Sequence, residues 1–421
     1  MFNKVFQDNF LKYNFIFFCG SMVVAVFNYL YHPILSRMMD IESFGEVQTI
    51  ISLFLLFSMV IGVFRTIVVN IVTNAQEIKE KQELILMLQK AGLYIVSAFS
   101  LSIILFSPQL KSFFNFHSVH PFISLAVLLV LSLFFTFRSA ILQALHKFKE
   151  VSIANIYLSA GRLIFAVLLV YIGWASFGAI TAIVLSQILA LIYVYLKTGD
   201  HLMSLMKAKV KITSRIKKEL SYALLVFSAT LCVTFLYSAD VIIVKHYFAA
   251  DQAGFYSGIA TIARILFFST ASVAGVLISF IKLENSKKEN KKILKKSLFL
   301  VGGLGGAVLL TFLLVPAIVI KVLIGQRYLV YANLLPRLSL LLFAVSIINV
   351  LFFYYLALRK YFLAIIAVLS PLLVLILSYF RHDSLLQIIN NFLWASILIL
   401  IILSLRFLWQ FLNIRQNKIY E

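Results

Sequence analysis

The chain is written in long apolar runs separated by short polar segments. A helix that crosses a bilayer needs about 20 predominantly apolar residues. Twelve runs are read as such helices: 14–36, 46–73, 90–107, 121–145, 151–172, 176–197, 219–248, 253–281, 297–322, 332–358, 361–380 and 385–409. Each predicts a spanning helix, because backbone groups in lipid have no water to bond with and must satisfy one another along the chain. Twelve spans in 421 residues leave no room for a soluble catalytic domain on either face. The expected architecture is an all-α polytopic membrane protein.

Composition agrees. Apolar residues make up 62% and charged residues 13%, where a soluble domain averages about 45–50% and about 25%. Mean hydropathy is +1.01. This excludes an ordinary soluble enzyme as well as a disordered or fibrous chain. The first run, Asn14 to Ser36, is too long for the apolar core of a signal peptide, and no A-x-A site follows it. Cys19 and Cys232 lie far apart in apolar runs, and no Cys/His spacing suggests a metal site.

Lys and Arg outnumber Asp and Glu by 37 to 16, for a formal net charge of +21. In a soluble protein that excess raises the question of nucleic acid; here its placement along the chain accounts for it, and no nucleic-acid partner is expected. With the N-terminus taken as cytoplasmic, 25 basic residues fall in cytoplasmic segments, 6 on the opposite side and 6 inside spans. That split obeys the positive-inside rule, requires an even number of spans and places both termini in the cytoplasm. The largest clusters, Lys197–Lys218 and Lys282–Lys296, are expected to hold this topology and to touch anionic lipid headgroups.

The two halves resemble each other. Gly45 follows span 1 and Gly254 follows span 7, each after a basic residue and a short acidic turn; the two are 209 residues apart. Span 4 ends in Ala144-Leu-His-Lys-Phe and span 10 in Ala357-Leu-Arg-Lys-Tyr, 213 residues apart. Both offsets are close to half the chain. Six spans per half give the halves the same orientation, a parallel-repeat transporter plan. The expected organisation is an N-terminal six-helix bundle (1–197), a basic cytoplasmic linker (198–218) and a C-terminal six-helix bundle (219–421).

A charge at the bilayer centre costs about 2.5–3.5 kcal/mol on insertion scales, so depth decides which charges are informative. Arg337 and Arg406 lie near span ends, where a long side chain reaches the interface. Arg162 and Arg264 lie 11 residues into spans 5 and 8, and Arg65 and Arg138 about two turns from the cytoplasmic ends of spans 2 and 4. The one deep acid is Asp240 in span 7. At about 1.5 Å per residue its depth differs from that of Arg264 by about 4–5 Å, so Asp240 either pairs with Arg264 or takes a coupling proton. Arg65, Arg138, Arg162 and Arg264 are the candidate substrate-binding residues. Unpaired guanidinium groups in a cavity favour an anion, and their planar fork suits phosphate. Asn28, Asn70, Asn155, Gln187, Thr234, Ser238 and Asn349 add polar groups that are more often interhelical hydrogen bonds than ligands. No phosphate-binding Gly-x4-Gly-Lys-Ser/Thr loop occurs, and no catalytic set of carboxylates or Ser, His and Asp sits at a membrane face.

The stretch Tyr237 to Phe268 (YSADVIIVKHYFAADQAGFYSGIATIARILFF) resembles spans 7 and 8 of the polysaccharide-biosynthesis flippases, the O-antigen and capsule repeat-unit translocases. Leu35 to Gly45 (LSRMMDIESFG) is similar to the same family's turn after span 1. The resemblance implies two six-helix bundles in a V, as in multidrug and toxin extrusion (MATE) antiporters. It implies a cargo of undecaprenyl-diphosphate-linked oligosaccharide moved from the cytoplasmic to the periplasmic leaflet of a bacterial inner membrane, with no enzymatic activity and no cofactor. Membrane lipids, a polysaccharide polymerase and a chain-length regulator are the implied partners. A proton- or sodium-coupled drug antiporter, a membrane enzyme and a lipid II flippase are the rival readings. The enzyme would be expected to carry a large external loop with catalytic residues, and the longest external loop here is 108–120.

Overall fold

The structure, a computed structural model, describes residues 9–74, 78–198, 214–281 and 286–417. These residues form fourteen α-helices and one 3₁₀ turn, with no strand among them. The helices are α1 (Asn9–Met38), α2 (Ile41–Asn74), α3 (Ile78–Leu105), α4 (Ser107–Phe113), α5 (His120–Ala144), α6 (Phe148–Tyr171) and α7 (Ala175–Thr198). They continue as α8 (Ser214–Tyr247), α9 (Ala250–Phe280), α10 (Lys287–Leu314), α11 (Pro316–Leu323), the 3₁₀ turn (Gln326–Tyr331), α12 (Leu334–Ala357), α13 (Phe362–Phe380) and α14 (Leu385–Asn417). Among the described residues, eleven helices are long and apolar enough to cross a membrane. The first expected span falls on α1, part of whose side chains lie outside the described residues.

The all-α expectation holds, and lipid is legible in the burial pattern. On α13, Leu363, Ile366, Ala367, Ser370 and Val374 are buried, while Ile365, Val368, Leu369, Leu372 and Ile376 are exposed. Both faces have helical spacing and the outward one is the greasier, the reverse of a helix facing water. Two expectations change. The run 297–322 is not one helix. The residue before a proline is pushed out of the α region, and Val315, at φ −132° and ψ 49°, ends α10 before Pro316 opens the short α11. The polar stretch 108–120 is not all loop, because Pro108 stands at the start of α4.

By contacts the chain divides into two compact units, Met1–Phe227 with Ala249–Gly254, and Ser228–Phe248 with Phe255–Glu421. The division falls inside α8; the basic linker expected at 198–218 lies largely outside the described residues. In the first unit α5 is central and packs against α2, α3 and α7, while α6 lies along α1 and α7. In the second, α12 is central, between α10 and α14, with Leu338, Val345, Phe352 and Tyr355 fully buried. Helices there are also joined by small polar contacts, such as Thr270 Oγ1 to Ser346 Oγ at 2.9 Å and Cys232 Sγ to Ser370 Oγ at 2.8 Å.

The repeat reappears as geometry. Gly45 and Gly254 are each the fifth residue of their helix, α2 and α9. The two sit against each other within the first unit: a Cβ on Gly45 would lie 2.8 Å from the Gly254 Cα, and one on Gly254 would strike the Ile41 carbonyl. The α5–α6 and α12–α13 junctions match bond for bond. His146 and Arg359 both adopt the left-handed conformation, at φ 57° and φ 50°. The N–H of His146 donates to Gln143 O and that of Lys147 to Leu142 O; likewise Arg359 donates to Leu356 O and Lys360 to Tyr355 O.

Candidate functional site

Three of the four arginines singled out by depth belong to the first unit, and each meets neutral partners. Arg65, exposed on α2, donates from Nη2 to Gln143 Oε1 of α5 at 2.8 Å. Arg138, buried on α5, donates from Nη1 to Thr198 Oγ1 at 2.9 Å, its guanidinium 4.6 Å from the centre of the Tyr195 ring. Arg162 is the fifteenth residue of the 24-residue α6, well inside the span. It donates from Nη2 to Asn28 Oδ1 at 2.7 Å and lies over the Tyr31 ring at 4.4 Å, while its Nε is buried with no hydrogen-bond partner. Neither Arg65 nor Arg162 has a carboxylate within ion-pair distance among the described residues. Amide and aromatic partners orient a guanidinium without cancelling its charge. The positive charge of Arg65 and Arg162 is therefore left for something else to balance.

Arg264, in the second unit, is built differently. Its Nη2 lies 2.9 Å from Asp240 Oδ1, its Nε donates to Tyr237 O at 2.9 Å, and Nη2 also reaches Ser238 O at 3.3 Å. The other Asp240 oxygen accepts from Tyr256 Oη at 2.9 Å. Both charges are buried, three of the five Arg264 N–H groups donate and each Asp240 oxygen accepts, so the pair is held by hydrogen bonds as well as by charge, as a buried ion pair requires. The structure thus brings Arg264 and Asp240 together, and places Arg65, Arg138 and Arg162 on separate helix contacts.

Of the polar residues noted in the sequence, Asn28 is engaged by Arg162, Gln187 is buried with Nε2 unpartnered, and Thr234 accepts from Ser238 Oγ at its carbonyl. The side chain of Asn70 lies outside the described residues. Sequence reading passed over Tyr31 and Tyr195, the rings under two of the arginines, because nothing in linear spacing joins positions 31 and 162. Glu46, the first residue of the expected span 46–73, is the sixth residue of α2. In the structure its side chain is 1% exposed and bonded to His117 and Ser176. The i, i+4 spacing of Glu42 and Glu46, facing the His-containing segment 114–119, was the available signal. The first unit also holds an apolar cavity of about 340 Å³ between α2, α3, α4 and α5, lined by Leu53, Phe57, Phe99, Phe106, Phe114 and Phe122 among others.

Comparison with known proteins supplies the family. The model of the family described as polysaccharide biosynthesis protein matches residues 10–278, well over half of the chain. No curated protein sequence matches. Among solved structures, the chain is similar to the lipid II flippase MurJ in an inward closed conformation, with a TM-score of 0.69 at 15% identity, over 93% of this chain and 87% of that one. An inward-facing multidrug resistance MATE transporter of the MOP superfamily gives 0.64 at 14% identity, over 91% and 94%. The MATE multidrug transporter DinF-BH gives 0.63 at 14%, over 93% of both chains. Helices of this number and order on the fold common to MurJ and the MATE transporters, together with the family match, make this multi-pass membrane protein a member of the polysaccharide biosynthesis protein family.

Proposed function

We propose that the protein is a flippase that moves undecaprenyl-diphosphate-linked oligosaccharide repeat units, of O-antigen or capsule, from the cytoplasmic to the periplasmic leaflet of a bacterial inner membrane by alternating access. The observation that carries the reading is Arg162, a mid-span guanidinium whose partners among the described residues are Asn28 and Tyr31, with a spare buried Nε–H. A diphosphate supplies the missing negative charge and offers paired oxygens to a planar fork. Arg65 and Arg138 add donors on the same unit, and the polyprenyl tail stays in lipid. Family membership supports a glycan cargo.

Deleting the gene in its host should abolish surface polymer and trap lipid-linked repeat units on the cytoplasmic side. In that strain Arg162→Ala should reach the membrane at normal levels yet export roughly 10- to 100-fold less, the loss expected for one charge-assisted contact. Arg162→Lys, which keeps the charge and loses the fork, should fall between. Wild-type surface glycan from Arg162→Ala overturns the assignment.

A proton- or sodium-coupled antiporter of drugs or small molecules is the alternative, favoured by the similarity to MATE structures. It asks for a membrane acid free to exchange a cation. Among the described residues the acid deepest in a span is Asp240, both of whose oxygens are engaged; Glu46, buried near the start of α2, is bonded to His117 and Ser176. Unchanged glycan in the deletion strain, with new sensitivity to cationic drugs, would establish this alternative.

A further inference from the structure

His117 lies in the segment between α4 and α5, at the end of the first unit opposite Lys147, Lys149 and Lys197. Both of its ring nitrogens face carboxylates: Nδ1 is 2.9 Å from Glu46 Oε1 and Nε2 is 3.3 Å from Glu42 Oε2. Its backbone N–H donates to Glu46 Oε1 at 2.8 Å, and Ser176 Oγ, at the start of α7, donates to Glu46 Oε2 at 2.6 Å. The Glu46 side chain is 1% exposed while that of His117 is 64% exposed. A neutral imidazole carries one N–H and one lone pair. With a carboxylate oxygen opposite each nitrogen, the neutral ring would set a lone pair against an oxygen. Imidazolium donates on both sides, and the exposed ring gives a proton access to the site.

We propose that His117, Glu42 and Glu46 form a proton-binding site whose occupancy fixes the 114–119 segment across α2 and α7. What it fixes is a wall. Phe114 lines the apolar cavity, and the rings of Phe114 and Phe116 lie 6.2 and 4.9 Å from that of Phe122. Loss of the proton removes one of the two ring contacts and releases this wall.

The surrounding groups are consistent. Asp40, at the α1–α2 junction, adds a third nearby carboxylate. Burial pushes Asp40 up, but hydrogen bonds from Ser43 and the His117 charge hold it below its ordinary range. Arg37 turns back to Pro33 O, His120 of α5 lies against the Phe177 ring, and Lys111 of α4 contributes its carbonyl to the Phe116 N–H. The site does not depend on the identity of the cargo.

Hydrogen exchange on the purified full-length protein tests it, with rates divided by intrinsic rates at the same pH. The sign follows from the proton. Protection of residues 114–119 should be highest near pH 5 and fall at least roughly tenfold by about pH 8, across the range in which imidazoles change charge. In His117→Gln the protection should be lower at pH 5 and flat with pH. In Glu42→Gln, at a partly exposed position, the pH dependence should shrink while the fold is kept. A flat wild-type profile, or an unchanged pH dependence in His117→Gln, overturns the proposal.

Discussion

At the scale of single residues, the arginines differ by what surrounds them. Arg264 and Asp240 pair with each other, and Tyr237, Ser238 and Tyr256 add further bonds. Removing one partner strands a buried charge, so Asp240→Asn should destabilise the protein by about 3–5 kcal/mol, read as loss of membrane-extracted protein on heating. Asp240→Leu with Arg264→Met should recover most of that stability, since an apolar pair of similar volume carries no desolvation cost. If the double variant is stable but inactive, the pair acts in transport as well as in folding. The sequence made these residues visible through depth, because a charge inside an apolar run is conspicuous. It hid the partners: Asn28 is 134 positions from Arg162, and only folding brings them together.

At the scale of elements, most helices were legible because lipid leaves so few alternatives. A long apolar run has to become a helix, and the predicted and observed spans differ mainly at their ends. The exceptions came where apolarity continues through a backbone break, as at Val315–Pro316, and where a polar stretch still forms a turn of helix, as in α4. The matching junctions carry a prediction of their own. His146 and Arg359 hold left-handed conformations that cost a residue with a Cβ about 1–2 kcal/mol and that glycine adopts freely at a helix C-terminus. His146→Gly and Arg359→Gly should each raise the unfolding temperature slightly. A fall would mean that the side chains matter more than the turn, for example through the contact of the His146 ring with Phe148.

At the scale of the whole molecule, charge gives orientation. The concentration of Lys and Arg on alternate connections predicts that alkaline phosphatase fused after Asp383 is active and after Lys360 inactive, with a fluorescent protein after Glu421 folded and bright; the opposite pattern would invert the topology. The internal repeat was also readable in advance, from two short matches, because each marks a backbone requirement: a glycine where helices touch and a left-handed residue where a helix must stop. Gly45 and Gly254 add a consequence of another kind. Most corresponding positions in a duplicated chain drift apart, each copy answering to its own surroundings. These two are each other's surroundings, so neither glycine can gain a side chain unless the other's helix gives way. The likeness of the two halves and the need for close contact therefore meet at the same pair, and a change at either position is felt at both.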